Sequence, residues 1–475
     1  MNAAAVVQDL KAFLPELCLL GGAFLVLLVD LFVKNKKILP ALALLALAAA
    51  AVPAIPFRGT QALFSGFFTL DAFTHFFRLL ALGASAVWVI LSAGYKPLQK
   101  QYEGEYYTLV LFMALALVLM AASTNLLMIF LSIEFVSILS YLLVGFEKKN
   151  SQSKEASVKY LLFGSVASAL MLYGISLVFG ATGSLELTAI PAKLDDPSFY
   201  GLTLTGSILL LAGLGFKISM APFHLWAPDA YEGAPAPFTA FLTVAPKAIG
   251  FAVLMRVLTG AFHWFSFEWS PILMVLSILT MTIGNITAVA QTNVKRLLAY
   301  SSIGQAGYIL MGLAAATPLG LTAVLYYLLA YAFTNLGVFA VAIVVGSGTG
   351  SYELESYRGL AKRAPVLSAC MVVFLLSLAG IPPLAGFFAK LYVFSAVIEN
   401  RYYLMAAAAA INSAVAAFYY LRIVRQMYLV PADETSRIWS CPVTRFTIFI
   451  LLAGTIILGL VPAPFIDYFK ALLPF

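Results

Sequence analysis

Residues 217–251 read KISMAPFHLWAPDAYEGAPAPFTAFLTVAPKAIGF. Lys217 and Lys247 stand inside runs that are otherwise apolar, with Pro222 five residues after the first and Pro246 immediately before the second. The rest of the chain is alike: of 475 residues, 62% are hydrophobic and 10% charged, and the mean hydropathy is +0.97. A soluble domain carries ~25% charged and ~45–50% apolar residues, so that class is excluded. At ~150 residues per domain a soluble chain would divide into about three units, yet no polar linker separates any. The apolar content excludes disorder, and the scattered glycines exclude collagen. Cys18, Cys370 and Cys441 lie far apart without CxxC or Cys/His ligand spacing, so they read as inert lipid- or core-facing thiols. What remains is an all-α integral membrane protein.

A spanning helix needs ~20 apolar residues, and about fourteen runs qualify. They begin near Phe13, Ile38, Ala72, Tyr106, Asn125, Ser157, Gly201, Pro235, Trp269, Lys295, Pro318, Arg363, Tyr402 and Arg445. Near-continuous apolarity predicts helices rather than the alternating strands of a barrel. The run from about Phe13 to Val33 exceeds the ~7–15 residues of a signal-peptide core and lacks an A-x-A exit, which predicts a membrane helix. Basic residues gather in the odd-numbered connections: Lys34, Lys36 and Lys37; Lys96 and Lys100; Lys148, Lys149, Lys154 and Lys159; Lys295 and Arg296; Arg358, Lys362 and Arg363; Arg422, Arg425 and Arg437. The even connections hold chiefly Arg58, Lys193 and Arg401, beside Glu186, Asp195, Asp196 and Glu268. The positive-inside rule then places both termini on the outer side and accounts for the net charge of +7 as topology rather than nucleic-acid binding. The GSGTG stretch at 346–350 lacks the setting of a phosphate loop and is expected to be a flexible cytoplasmic loop.

Function is therefore sought among the charges inside the spans. A charge at the bilayer centre costs roughly 2.5–3.5 kcal/mol on insertion scales, so each is a functional candidate. Four stand out: Glu134, Lys217, Lys247 and Lys390. The competing reading is that each pairs internally and only locks helices together. Proton handling fits the residue types better, because lysine changes protonation readily on burial and arginine does not. Glu134 and Lys217 are expected to form a bistable pair, Lys217 being charged when the carboxylate is close. Lys247 and Lys390 then act as acceptors along a hydrated row.

Pro222, Pro246, Pro382 and Pro383 each remove a helical N–H near one of the lysines. In lipid the freed groups must be met by protein or cavity water, so interrupted helices mark ion pathways. Breaks in corresponding spans also point to a repeat, five spans per unit, with the units inverted. His224 is a candidate relay between the first break and the next lysine, the alternative being a histidine satisfied by a freed carbonyl. His75 and His263 are expected at the interfaces, and Arg256 near an outer helix end, free to snorkel. Asp229 and Glu232 either guard a cytoplasmic entrance or form a solvated loop. The small and polar residues of 300–308 suit close helix contact or a hydrated wall.

The run quoted at the outset closely resembles the core signature of the antiporter-like subunits of respiratory complex I and of multisubunit cation/proton antiporters. TNVKRLLAYSSIGQAGY (292–308) and SLAGIPPLAGFFAKLYVF (377–394) match two further segments of that family. The resemblance covers spans four to thirteen and is to the N-type branch. The chain is expected to end after about fourteen spans, without the long lateral helix of subunit L, and Lys390 stands where subunit M and its antiporter relative usually carry a glutamate. The resemblance implies two inverted five-helix repeats with discontinuous helices: an N-terminal three-helix segment (1–104), a first repeat (105–262), a second repeat (263–430) and a C-terminal helix (431–475).

By the same resemblance, proton transfer runs through Glu134, Lys217, Lys247 and Lys390, with His224 as the further candidate. NADH, FMN, iron–sulfur clusters and quinone bind other subunits and no cofactor binds this chain. The implied neighbours are the antiporter-like subunit M and the small subunit K, in a bacterial inner membrane. One position departs from the pattern: many relatives carry a histidine where this chain has Gln305, so a relay there uses water or is absent. The alternatives are a subunit of a cation/proton antiporter and a purely structural membrane subunit.

Overall fold

A computed structural model describes the chain except residues 1–2, 56–58, 96, 99–101, 194–196, 433–436, 439 and 474–475. Arg58, Lys96, Lys100, Asp195 and Asp196, used above for orientation, lie outside the described residues. The chain opens with a short helix α1 (Ala3–Ala12) and three apolar helices, α2 (Leu14–Phe32), α3 (Leu39–Ala54) and α4 (Ala72–Ala93). Between α3 and α4 a small antiparallel hairpin pairs β1 (Gln61–Leu63) with β2 (Phe68–Leu70). Then come α5 (Glu103–Ala122), α6 (Leu126–Val144), α7 (Ser151–Thr182) and α8 (Tyr200–Lys217), followed by three short pieces, α9 (Trp226–Gly233), α10 (Ala236–Leu242) and α11 (Ala245–Arg256). The second half holds α12 (Ser266–Val289), α13 (Val294–Ala314), α14 (Pro318–Thr349), the one-turn α15 (Leu360–Arg363), α16 (Pro365–Ala379), α17 (Ala385–Glu399) and α18 (Tyr403–Tyr428). Two helices close the chain, α19 (Pro442–Leu460) and α20 (Ala463–Leu472).

Among the described residues, 13 helical stretches are long and apolar enough to cross a membrane. The expected span beginning near Arg363 is the exception, because it is split into α16 and α17 at Pro382 and Pro383. Burial separates the helices by position: the stretch covering α10 and α11 is buried along its whole length and α13 and α14 nearly so, whereas α2 and α3 bury only a stripe. The centre of the bundle is therefore the region that carries Lys247 and the 300–308 segment. Helices α12 and α13 touch backbone to backbone there. A Cβ on Gly284 would lie 2.4 Å from the Gly304 nitrogen, and one on Gly307 would lie 2.5 Å from the Met281 nitrogen.

A short duplication marks the two halves. Thr182-Gly183-Ser184-Leu185-Glu186-Leu187 follows α7, and Thr349-Gly350-Ser351-Tyr352-Glu353-Leu354 follows α14. In both, the threonine hydroxyl donates to the serine carbonyl (3.2 and 3.1 Å) and the serine hydroxyl accepts from the glutamate N–H (3.3 and 3.1 Å). The glycine between caps the helix in the left-handed region, at φ 62° and 76°, where a side chain is disfavoured. Each glutamate then bridges an asparagine, Glu186 to Asn125 and Glu353 to Asn293, and these asparagines cap α6 and α13. An odd number of crossings separates α6 from α13, so the two latches fasten opposite ends of the bundle.

Two expectations are corrected. The GSGTG stretch is the last turn of α14 and its cap rather than a flexible loop. Its helical state follows from the left-handed cap at Gly350 and from the Tyr352 ring, which lies so close to Gly346 that a Cβ there would sit 2.4 Å away. Arg256 does not snorkel. It is buried at the end of α11, where its Nη2 donates to Asp71 Oδ1 and to Thr74 Oγ1, both at 2.7 Å. Asp71 supplies the counter-charge that keeps the guanidinium inside, and it also caps α4 by accepting from the Thr74 N–H at 2.7 Å. A second buried ion pair, Arg78 with Glu16, joins α4 to α2.

Candidate functional site

The three lysines are all inside the bundle, at 3% (Lys217), 1% (Lys247) and 7% (Lys390) exposure. Lys217 is the last residue of α8, where Pro222 has ended the helix. Its Nζ donates to Ser137 Oγ of α6 at 3.2 Å. Glu134, one turn before Ser137, is half-buried and accepts from Ser168 Oγ of α7. The expected partners thus meet on the same face region of α6 without a direct ion pair, each held by a serine. The aliphatic stem of Lys217 lies against Gly250, one turn beyond Lys247 on α11, with its Cγ 3.5 Å from where a Cβ would stand. The two lysine-bearing helices therefore face one another.

Lys247 reaches across to the second half, donating to Ser302 Oγ at 2.5 Å and to the Ser302 carbonyl at 2.9 Å. Lys390 lies over Gly380, donates to the Ala379 carbonyl (2.9 Å) and Ser413 Oγ (3.3 Å), and sits 4.6 Å from the Tyr308 ring centroid. Ala379 closes α16, so the lysine satisfies a carbonyl that the break has left open. The first break is met in the same way: Trp226 Nε1 donates to the Phe216 carbonyl (3.1 Å), and the Ala221 N–H donates to Thr280 Oγ1 (2.9 Å). His224 stands in that break, buried, with no hydrogen-bond partner on Nδ1. No side-chain hydrogen bond among the described residues joins it to Lys217 or Lys247.

Between Lys247 and Lys390 lie two hydrogen-bonded sets of side chains that the residue pattern did not reveal, both hung on α13, where Ser301, Gln305 and Tyr308 recur at helical spacing. Tyr420 meets Ser301 (2.5 Å) and accepts from Gln305 Nε2 (3.2 Å), while Tyr327 donates to Gln305 Oε1 (2.5 Å). Tyr419 donates to Asn285 Oδ1 (3.0 Å), Asn285 Nδ2 donates to Tyr308 (3.2 Å), and Ser413 donates to Tyr308 (3.4 Å), which returns to Lys390. Gln305 is thus neither exposed nor idle. The available signal was the run of polar residues one helical turn apart inside α13; the tyrosines on α14 and α18 gave none, because aromatic residues are ordinary in a core.

A second cluster sits at the end carrying the lysine-rich connections. Asp229 pairs with Lys159 (2.8 Å) and Arg296 (2.9 Å), and Arg296 also holds Glu232 (2.6 Å). It ties α7 and α9 of the first half to α13 of the second. Asp229 and Glu232 are therefore ion-paired rather than a solvated loop, and Lys159 and Arg296 do more than set topology. Partial burial works to raise the Asp229 carboxyl, but Lys159 and Arg296 hold it below its ordinary value of 3.8. A depressed folded value means that the pairing contributes fully above pH 3.8 and is lost as pH falls through the lower folded value. Pairs this exposed contribute about 1 kcal/mol or less each, so Asp229→Asn should destabilise the protein by roughly that amount at pH 7. Thermal melts of the two proteins at stepped pH check this: the gap should close in acid, and a gap that persists there contradicts the assignment.

Broken helices facing each other across a bundle, with buried lysines at the breaks and halves latched at opposite ends, define a polytopic membrane protein of the inverted-repeat kind. The chain belongs to the NADH:quinone oxidoreductase/Mrp antiporter transmembrane family, whose model matches residues 123–416. It is 40% identical over 479 residues to NADH-quinone oxidoreductase subunit N of Trichlorobacter lovleyi, covering 98% of each chain. It is 42% identical over 402 residues to the subunit N of Desulforamulus reducens, covering 85% of this chain and 84% of that one. Among solved structures, a chain of respiratory complex I from Thermus thermophilus with bound aureothin matches with TM-score 0.81 at 32% identity, over 95% of this chain and 98% of that one. A chain of the membrane-bound sulfane sulfur reductase, an archaeal respiratory membrane complex, matches with TM-score 0.87 at 26% identity, over 98% and 97%. The N-type branch indicated by the sequence is the one whose name these curated relatives carry.

Proposed function

We propose that this chain is a membrane-arm subunit of an NADH:quinone oxidoreductase that moves protons across the membrane, driven electrostatically by electron transfer from NADH to quinone in other subunits. The observation that carries the reading is the row itself. Three buried lysines rest on hydroxyls and open carbonyls rather than on carboxylates, so each ammonium is held by groups that still bond a neutral amine. Glu134 and Lys217 form the modulated pair of the first half, Lys247 connects the halves, and Lys390 leads to the exit. His224 is a side branch of that row, next to the first break. A carboxylate and scattered hydroxyls suit a proton better than a metal ion, which takes six or more oxygen ligands.

In this reading NADH, FMN, iron–sulfur clusters and quinone bind partner subunits, and the neighbours are the antiporter-like subunit M and the small subunit K. Residues 1–104, 105–262, 263–430 and 431–475 form the N-terminal segment, the two repeats and the closing helix. The location is a bacterial inner membrane with both termini on the outer side. The test is Lys217→Ala in the assembled complex, reconstituted into vesicles. Proton uptake coupled to quinone reduction should fall by about 100-fold, as for loss of a positioned proton carrier. Unchanged uptake refutes the role of Lys217. Purification with cation/proton antiporter subunits and no iron–sulfur subunits refutes the assignment to the oxidoreductase.

A further inference from the structure

Away from the lysine row, at the end of the bundle where α2 begins, α1 and the hairpin meet the ends of α2, α3 and α4 around a cavity of about 270 Å³. A single water needs roughly 10–15 Å³ of such space, so a group many times larger fits here. The polar wall is Gln8 and Lys11 of α1, Gln61 of the hairpin, and Asp71, His75 and Arg78 at the start of α4. The enclosure is built rather than loose. Asp9 of α1 accepts from the Phe64 N–H in the hairpin turn at 2.9 Å. The Phe13 ring, just after α1, packs 5.2 Å from Phe64 and 5.5 Å from Phe68.

The charges on this wall are not equivalent. Asp71 is matched by Arg256, and Arg78 by Glu16. The second match is incomplete: Arg78 is 5% exposed and its Nε donates to no acceptor, while Glu16 Oε2 accepts from no donor. Lys11 is exposed and has no ion pair or hydrogen bond among the described residues. With the two pairs set against each other, its ammonium is the unbalanced charge. An unbalanced cation, a guanidinium with an open N–H and two amides together suit a phosphodiester.

The surroundings say how such a group arrives. Helix α1 turns Val7 and Leu10 outward beside Lys11, at 52% and 40% exposure, and a helix of that character lies in the headgroup layer of a bilayer. Leu14, on the cavity wall, begins an exposed apolar face that continues along α2 through Leu17, Phe24 and Leu28. Polar wall and apolar face therefore adjoin, as the two parts of an amphiphile do.

We propose that this cavity binds a glycerophospholipid of the adjacent leaflet, with its phosphodiester between Lys11 and Arg78 and its acyl chains along α2. The amides of Gln8 and Gln61 meet the polar substituent on the phosphate. So bound, the lipid pins α1 and the hairpin to the N-terminal three helices. None of these groups belongs to the lysine row, and the proposal stands apart from proton transfer.

The test uses the assembled complex in nanodiscs of phosphatidylglycerol containing a trace of the same lipid with a photoactivatable acyl chain. After irradiation, peptide mapping should find label on α2 between Leu14 and Leu28. Lys11→Glu should lower that label about tenfold, and Lys11→Arg should keep it. The exposed face of α18 around Phe418 and Leu421 reports ordinary surrounding lipid and should be labelled alike in all three proteins. Because the Lys11 side chain bonds to nothing in the fold, its replacement leaves the subunit folded, which the unchanged α18 label also verifies. Equal labelling of α2 in Lys11→Glu and the parent, or none in either, overturns the proposal. Radiolabelled inorganic phosphate, dialysed against the complex in detergent, separates the other source. Phosphate retained by the parent and lost in Lys11→Glu, with α2 labelling indifferent to the substitution, makes this a site for a soluble anion and overturns the lipid.

Discussion

Lys390→Met abolishes proton translocation by the assembled complex, with an expected loss of about 100-fold or more, and Lys390→Arg abolishes it equally. The second result is the sharper one. The Lys390 ammonium is held by an open carbonyl, a serine and a tyrosine face, all of which accept a cation of either kind. If its role were only to anchor α16 and α17, arginine would serve, because the charge survives. A proton carrier must also let go, and arginine does not deprotonate in proteins. The measurement is proton uptake by vesicles during quinone reduction, with the amount of this subunit in the complex checked in parallel. Uptake by Lys390→Arg above about a tenth of normal would contradict a titrating role.

The second large effect concerns stability. Arg256→Leu should destabilise the subunit by about 3–5 kcal/mol, the usual cost of leaving one member of a buried ion pair without the other. Asp71 would remain inside with its carboxylate still capping α4 but no longer facing a cation. Asp71→Leu carries a similar penalty and also loses the cap. Replacing both should cost markedly less than the two separately, since no uncompensated charge is then buried. Thermal unfolding in detergent and retention of the subunit during purification measure this. Single variants with melts like the parent protein would show that the pair is exposed to water in the membrane.

The spans and breaks were legible because lipid leaves so few options. A crossing needs ~20 apolar residues, and a proline there frees backbone groups that must be met internally. Lys217, Lys247 and Lys390 announced themselves by being costly where they stand. Partners were another matter. Asp71 and Arg256 are 185 residues apart, and each alone reads as an ordinary span-end charge. Lys159 and Arg296 looked like topology signals and proved to share Asp229. Tyr327, Tyr419 and Tyr420 were invisible because the phenol of a core tyrosine declares itself only through what it bonds. The glycines of 346–350 misled for a definite reason: a helix cap, a close ring contact and a flexible turn all call for the same residue.

The duplicated latches also set a register between the halves. The spacing that carries Asn125 to Asn293 carries Glu134 to Ser302, so the second half has a neutral hydroxyl where the first has its carboxylate. Among the described residues no acidic group lies within ion-pair distance of Lys247 or Lys390, and Glu134 is the acid near enough to act on Lys217. The inverted halves are alike in shape but not in polarity. Two halves identical under the two-fold rotation that inverts them would have no preferred sense. Here one carboxylate stands beside Lys217 and none beside Lys247 or Lys390, so in the proposed proton row the acidic charge acts from the first half alone.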